Sequence, residues 1–229
     1  MIRRILFRGC SHHSLLFRSL VRSIKTFMQI EISKIPVPEA YQWIVSLVAP
    51  RPIAWVTTLS PTGVVNLAPF SFFNVFGANP PVVVFSPTLK RDSTKKDTLI
   101  NIEHHGEFVI HASTEPDIAA INASSASLSP ETSEVDYVGK ETIPSVLVKV
   151  PRLAKSPFAL ECKLRQIVPV GNGPISANLI IGDVLMIHVD PAILDKHGKV
   201  DPKLLRSVAR LGGEHWCRST DLFQMERPG

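Results

Sequence analysis

Cysteine is scarce in this sequence of 229 residues, in which it occurs only as Cys10, Cys162 and Cys217. The three are widely separated, and no two have the paired spacing of a zinc site or a disulfide framework. We therefore expect a protein of a reducing compartment. The eight histidines form no pair with a carboxylate at the spacing of a helical zinc site, so we expect no bound metal.

The motifs of several large enzyme classes are also missing. There is no G-x-S-x-G nucleophile turn, and no cysteine lies in a recognisable catalytic motif. Neither a glycine-rich phosphate loop nor G-x-G-x-x-G is present, which argues against a triphosphate site and a Rossmann domain for NAD(P)H. No apolar run reaches the roughly 18 residues that span a bilayer. Any small-molecule pocket in this chain therefore lacks an evident protein nucleophile or base, which suits an enzyme whose cofactor carries the reaction while the protein binds and orients it.

Acidic residues are absent from the first thirty positions, where six arginines and lysines give a charge of +6. Because the whole chain carries +5, the remaining residues sum to −1 and offer no basic excess for nucleic acid. An acid-free start with arginine, serine, leucine and phenylalanine predicts a mitochondrial transit peptide in residues 1–30. The alternatives are an unstructured basic extension, or translation from Met28 and a cytoplasmic location.

The rest of the chain, residues 31–229, is predicted to be one domain that is mainly β with short helices. Alternating apolar residues and turn motifs favour a closed or split barrel over an α/β sheet. Residues 125–138 form a polar, serine-rich loop that we expect to be mobile or to contact a partner. Helices are predicted over residues 37–48, 98–105, 116–124 and 202–210. Strands are predicted over residues 53–59, 64–68, 82–86, 107–112, 159–170 and 177–189.

A segment of mixed character, NLAPFSFFN, occupies residues 66–74. Proline removes a hydrogen-bond donor, so Pro69 argues against an ordinary paired strand. We interpret the segment as a strand that ends in a loop of apolar residues with a few polar side chains. This is the composition of a small-molecule pocket. Phe70 and Phe72 would form its walls, or alternatively the phenylalanines are barrel core and the asparagines lie in turns.

The following polar segment, SPTLKRDSTKKDT, occupies residues 86–98 and precedes a predicted helix. Four cations lie in it together with several hydroxyl groups. Cations, hydroxyls and free amides at the start of a helix favour a phosphate site, although a solvated charged loop is the alternative. The cations are Lys90, Arg91, Lys95 and Lys96.

Five motifs occur in the order in which one known family carries them: RPIAWVTTLS, NLAPFSFFN followed by Pro80-Pro81, KKDTLINIEHHGEFVI, SPFALECKL and RLGG. They closely resemble the flavin reductase-like proteins, which are FMN-binding split β-barrels, over about residues 35–216. The resemblance implies a homodimer that reduces flavin with NAD(P)H. The nicotinamide would dock transiently on an exposed face of the flavin. His111 and Trp216 depart from the family, which commonly has asparagine and tyrosine there.

The resemblance also assigns roles to residues of this sequence. His188 is a secondary candidate for a polar contact with flavin or nicotinamide, although a lone histidine is more often structural. No other catalytic side chain is expected. The FMN phosphate would be bound by Arg91, Lys96 and Thr98, with Ser86, Ser93 and Asp97 in support. The ring and ribityl chain would be held by Asn66, Leu67, Ala68, Ser71, Phe72 and Asn74.

Two other classes of function stay open. The first is an FMN flavoprotein that reduces a quinone, a metal complex or a monooxygenase partner instead of free flavin. The second is a non-enzymatic ligand-binding barrel, such as one that binds nucleic acid. The charge of −1 outside the first thirty residues counts against nucleic acid, as does the lack of a series of stacking aromatic residues with basic neighbours.

Overall fold

A single antiparallel sheet of seven strands organises the fold in the computed structural model, which describes residues 27–228. The order of strands in this sheet is β2-β1-β5-β8-β9-β4-β3, and β6–β7 and β10–β11 form separate two-stranded ladders. The strands are β1 (Ala54–Leu59), β2 (Val65–Phe70), β3 (Phe73–Ala78), β4 (Pro81–Phe85), β5 (Glu107–His111), β6 (Thr142–Ile143), β7 (Arg152–Leu153), β8 (Phe158–Val170), β9 (Ala177–Val189), β10 (Val208–Arg210) and β11 (Trp216–Arg218).

The helices are short and lie in the connections between strands. They are α1 (Val37–Leu47), α2 (Asp97–His105), α3 (Ile118–Ala123), α4 (Glu134–Tyr137) and α5 (Pro202–Leu205), with 3-10 turns at Ile32–Lys34, Glu115–Asp117 and Pro191–Ile193. Helix α2 ends at Gly106, whose φ of 67° is the left-handed conformation that glycine adopts at little cost. Among the described residues, no helix has the length and apolar character needed to cross a membrane.

The sheet curls until its two ends enclose the same core. Strands β2 and β4 lie far apart in the strand order, yet the rings of Phe70 and Phe85 are only 5.2 Å apart. The two edge strands, β2 and β3, follow each other in the chain but do not pair, so the barrel is split between them. At this split the N–H of Ser86 donates to the carbonyl of Phe72 at 2.9 Å.

The two faces of the sheet bury different sets of side chains. On the inner face, Phe108 of β5 and Cys162 of β8 pack with Leu99 of α2, so α2 closes the barrel core. On the outer face, Trp55 of β1 packs with Ile121 of α3 in a second cluster. The long connection between β5 and β8 therefore covers the outside of the sheet and completes a single domain.

The split β-barrel and the single domain predicted from the sequence are confirmed. The loop predicted after residue 68 is wrong, because β2 continues through Pro69 to Phe70 and β3 follows. Proline is tolerated here because β2 is an edge strand with β1 as its only neighbour in the sheet. The helix predicted over residues 202–210 is also too long: it ends at Leu205, and residues 208–210 pair with β11 instead.

His111 is a fully buried structural residue on the outer face of the sheet. The N–H of Leu153 lies 2.9 Å from its Nε2, which must accept, so Nδ1 carries the proton and donates to the carbonyl of Trp55 at 3.0 Å. Burial lowers the pKa of His111 from 6.5 to about 4. The neutral imidazole thus joins β1, β5 and β7.

We expect His111 to make folding less favourable in mild acid. The unfolded chain takes up a proton near pH 6.5 and the buried ring only near pH 4, so its stabilisation is complete above pH 6.5 and declines below it. The decline between pH 7 and pH 4 should reach roughly 2–3 kcal/mol. Urea unfolding across this range measures it. His111→Asn should reduce the dependence of the unfolding free energy on pH, and substitution of the exposed His104 by Asn should not. The same pH dependence in wild type and both variants would contradict this assignment.

Candidate functional site

A cavity of about 120 Å³ lies where the inner side of β2 meets the start of α2. Its walls come from β2, from the charged segment before α2, from residues 124–128 and from Glu134. The volume is below the 300–1,000 Å³ of a usual small-molecule pocket, so a larger ligand would extend beyond it. Of the residues predicted to bind a cofactor, it brings together Asn66, Ala68, Lys96, Asp97 and Thr98.

Asn66 is the centre of a buried hydrogen-bond network at this cavity. Its Oδ1 accepts from the hydroxyls of Thr98 at 2.8 Å and Thr58 at 3.2 Å, and Asn101 donates to Thr58 at 3.0 Å. Its Nδ2 donates to Oε2 of Glu134 at 2.8 Å. The amide of Asn66 is therefore bonded to protein groups of β1, α2 and α4.

Glu134 also binds the backbone that was predicted to hold a ring. The N–H of Leu67 donates to Oε2 of Glu134 at 3.1 Å, while the side chain of Leu67 packs in the outer core cluster. Burial raises the pKa of Glu134, although the bonds from Leu67 and Asn66 oppose this effect. Glu134 thus fixes two successive residues of β2.

The start of α2 has the features of an anion site. Lys96 is half-buried, no carboxylate of residues 27–228 forms a salt bridge with it, and its Nζ lies 5.7 Å from the centre of the Phe70 ring. Burial, helped by Lys90, lowers the pKa of Lys96. Among the described residues no side chain caps the N-terminus of α2, so the amides of Asp97 and Thr98 are available to an anion, while that of Leu99 donates to the carbonyl of Lys96. These donors fit a phosphate group.

Ser86 is a further candidate for an anion contact. Only 6% of its surface is exposed, and its Oγ has no hydrogen-bond partner among the described residues. A buried hydroxyl without a protein partner is uncommon, so this hydroxyl can donate to a ligand. Ser86 follows β4 directly, at the split of the barrel.

The other predicted phosphate-binding residues lie outside the cavity wall. Arg91 and Ser93 are exposed on the loop before α2, where Ser93 has a φ of 67°. Lys90, which was not among the predicted site residues, does line the cavity and lies 3.8 Å from Asp97. The cation cluster in the sequence pointed to this loop, but the sequence did not show which cations turn inward.

The remaining predicted ring contacts follow the chain away from the cavity. Ser71 lies 3.5 Å from Nε of Arg51, and Phe72 stacks edge-on against Tyr41 at 6.3 Å. Asn74 is exposed, and its Oδ1 accepts from the next backbone N–H. Phe70 is 95% buried and belongs to the barrel core, as the alternative interpretation expected, but it also lines the 120 Å³ cavity, as the pocket interpretation expected.

Arg51 connects the Ser71 side chain to three backbone carbonyls of other segments. Its guanidinium donates to the carbonyls of Val48 and Leu211, each at 3.0 Å, and also to that of Val45. Burial lowers the pKa of Arg51. The contacts link the end of α1 and the RLGG loop to the chain between β2 and β3.

His188 lies on the outer face of β9, away from the cavity wall. Its Nε2 is 2.6 Å from Oε1 of Glu161, a fully buried side chain that also accepts from the N–H groups of Val146 at 2.7 Å and Leu147 at 2.6 Å. These bonds give His188 a structural partner. A contact of His188 with flavin or nicotinamide stays a prediction.

Sequence reasoning missed the wall formed by the serine-rich segment. Ser124 accepts from Nε1 of Trp55 at 2.9 Å, and Ser133 donates to the carbonyl of Val65 at 2.7 Å. Between these anchors, residues 124–128 line the cavity. No local pattern marks Glu134 as buried, because its partners lie almost seventy residues earlier.

A larger cavity of about 410 Å³ lies on the outer side of the sheet, beside Trp55 and Leu153. None of the predicted cofactor-binding residues lines it. Its most buried cation, Lys140, is already paired with Asp117 at 2.5 Å. We therefore assign function to the smaller cavity, where Lys96 has no such partner. In the described part of the chain, no cluster of histidine, cysteine and acidic residues could hold a metal ion.

Comparison with known proteins gives a family and close relatives. The model of the "flavin reductase like domain" family matches residues 47–203. An uncharacterised protein of Halalkalibacterium halodurans is 43% identical over 192 residues, which are 83% of this chain and 91% of that protein.

Two solved structures are similar in both sequence and fold. Nitrilotriacetate monooxygenase component B from Bacillus cereus has a TM-score of 0.82 and 32% identity, covering 87% of this chain and 99% of that one. The 2-nitrobenzoate 2-nitroreductase of Pseudomonas fluorescens has a TM-score of 0.78 and 31% identity, covering 88% of this chain and 96% of that one.

The predicted mitochondrial location is contradicted by the relatives. Proteins of Halalkalibacterium halodurans, Bacillus subtilis and Deinococcus radiodurans match over 91%, 94% and 88% of their own lengths and carry no comparable targeting extension. These organisms are bacteria, which have no mitochondria. The predicted transit peptide, residues 1–30, falls almost entirely outside the described residues.

Proposed function

The chain belongs to the flavin reductase-like family, and we propose that it is an oxidoreductase that binds FMN and reduces it with NAD(P)H. The observation that carries this proposal is the half-buried, unpaired Lys96 at the uncapped start of α2, beside the cavity under β2. A phosphate is the group that this combination of charge and free amides suits best.

The phosphate end would be held by Lys96, the first amides of α2 and the unpartnered hydroxyl of Ser86. Thr98 would act indirectly, since its hydroxyl is bonded to Asn66. Arg91 and Ser93 would have to fold inward from an exposed loop to reach the phosphate. Asp97 lies nearest Lys90 and would orient that cation.

The ring would extend along the edge strand β2 toward the split of the barrel. Because Asn66 and the N–H of Leu67 are bonded to Glu134, contacts to the ring would come mainly from Ala68, Ser71 and Phe72. FMN held there would supply the two-electron redox chemistry. The protein supplies binding, orientation and electrostatics, without a side chain that reacts covalently.

A nicotinamide would dock only over an open face of the flavin. The family model covers residues 47–203, and neither this range nor the rest of the sequence contains a second nucleotide-binding motif. Binding of the nicotinamide should therefore be weak and should compete with any planar acceptor for the same face.

We also propose a homodimer, in which a second chain covers part of the site. Large apolar side chains are exposed on the barrel, among them Val75 and Phe76 of the edge strand β3 and Ile187 of β9. Exposed apolar surface of this kind often marks a protein interface. Light scattering should give about twice the chain mass of 25.2 kDa, and the mass of one chain would contradict the dimer.

A second candidate is a flavoprotein that transfers electrons to something other than free flavin. The similarity to a monooxygenase component B and to a nitroreductase, both above 30% identity, supports this alternative. The acceptor would be a monooxygenase partner, or a planar compound such as a quinone or nitroarene. Measuring which acceptors reoxidise the reduced protein distinguishes the two candidates.

Removing the charge of Lys96 should weaken the binding of FMN far more than the binding of riboflavin, because only FMN carries a phosphate. A charge-assisted contact is worth roughly 1.5–3 kcal/mol, so Lys96→Met should cost about ten- to hundredfold in FMN affinity. Lys95→Met is the matched control, since Lys95 is exposed and paired with Glu103 at 2.7 Å. Fluorescence titration measures both flavins. Equal losses for FMN and riboflavin would place the phosphate elsewhere.

Arg91→Ala tests how far the phosphate site extends. If Arg91→Ala lowers the affinity for FMN but not for riboflavin, the exposed loop folds onto the phosphate. Unchanged affinities would limit the site to Lys96, the start of α2 and Ser86.

The direct test of the reaction is anaerobic mixing of the FMN-loaded protein with NADH or NADPH. We expect the flavin colour to bleach faster than that of free FMN, with one nicotinamide preferred. Steady-state rates with a planar acceptor should then show a ping-pong pattern. If neither nicotinamide bleaches the bound flavin faster than free FMN, the reductase proposal fails and a partner-reduced flavoprotein replaces it.

A further inference from the structure

Glu134 is a buried carboxylate on the wall of the proposed cofactor site. Its surface is 93% buried, and it borders both the 120 Å³ cavity and an adjoining cavity of about 230 Å³. Among the described residues only its Oε2 is hydrogen-bonded, to Leu67 N–H and Asn66 Nδ2. Both partners are donors, which favours the ionised carboxylate. Burial raises the pKa of Glu134, and these two bonds oppose that rise. When ionised, the carboxylate brings a negative charge to the wall of the site.

We propose that Glu134 is a positioning residue for the cofactor strand β2 and that its charge lowers the reduction potential of the flavin bound there. This inference rests on the proposed function. It concerns a residue of the serine-rich connection, which carries none of the motifs by which the family was identified.

The positioning part follows from the two hydrogen bonds. Residues 66 and 67 lie on an edge strand, which has a neighbour in the sheet on one side only. Glu134 supplies the missing acceptor for the free N–H of Leu67 and orients the amide of Asn66 toward Thr98. The edge of β2 is thereby held at a fixed distance from α2 before a ligand arrives.

The electrostatic part follows from the charges around the cavity. A hydride brings two electrons and one proton, so the reduced ring gains negative charge until it takes up a further proton. Inside a cavity of low dielectric constant, a nearby carboxylate makes that gain less favourable. The positive charges of Lys90 and Lys96 oppose this effect of the Glu134 carboxylate from the α2 side, and the negative charge of Asp97 adds to the effect. Glu134 lies on β2's side, next to the strand along which the ring is proposed to extend.

Two substitutions separate the two parts. Glu134→Gln keeps the volume and an oxygen that can accept both bonds, but it removes the charge. Glu134→Ala removes the bonds as well. Asp136→Asn is the matched control, because Asp136 is exposed in the same helix, two residues further on.

The first measurement is the midpoint potential of the FMN-loaded proteins, equilibrated anaerobically with a dye of known potential. We expect a more positive potential for Glu134→Gln and no change for Asp136→Asn. The second is amide hydrogen exchange at Leu67 in the protein without flavin. We expect wild-type protection in Glu134→Gln and at least tenfold faster exchange in Glu134→Ala, which should also bind FMN about tenfold more weakly.

The outcomes identify which proposal fails. A wild-type protein that takes up no FMN would overturn both the proposed function and the effect on potential. FMN that binds with the same potential in wild type and Glu134→Gln would overturn the electrostatic part alone. Unchanged exchange of the Leu67 amide in Glu134→Ala, in a variant that still folds, would overturn the positioning part.

Discussion

The hydrogen-bond network around Asn66 is the interaction on which the site depends. It joins β1, β2, α2 and α4 through buried polar groups, each of which finds a partner within the network. Buried polar groups are costly unless they are bonded, so the network permits only one arrangement of these four elements. It therefore sets the spacing between the edge of β2 and the start of α2, which is where the cavity lies.

Two polar groups near this network, unlike its members, have no bonding partner among the described residues. Within residues 27–228, no carboxylate pairs with Lys96, which is half-buried beside Phe70, and no group bonds to the buried hydroxyl of Ser86. Such groups lower the stability of a chain on its own and are common at binding sites, where a ligand supplies what is missing. The contrast between this satisfied network and Lys96, two residues before Thr98 of the network, is the physical basis for proposing a phosphate at the start of α2.

Much of the fold follows from local sequence. The stop of α2 at Gly106 and the long strands β8 and β9 on either side of a glycine-rich turn were predicted closely. Strand β3 was missed because Pro69 argued for a loop, and only the sheet order shows that β2 is an edge. Glu134 and residues 124–128 were missed because their role depends on contacts between distant parts of the chain. The basic start suggested mitochondrial import from composition alone, which the bacterial relatives contradict.

In the proposed function, this barrel holds one FMN between β2 and α2. The most direct measurement is to purify the protein, release any bound chromophore and identify it by chromatography and mass spectrometry. We expect a yellow protein that carries, or takes up from solution, close to one FMN per chain. A colourless protein that takes up no added FMN would contradict it, and so would a protein that binds riboflavin as tightly as FMN.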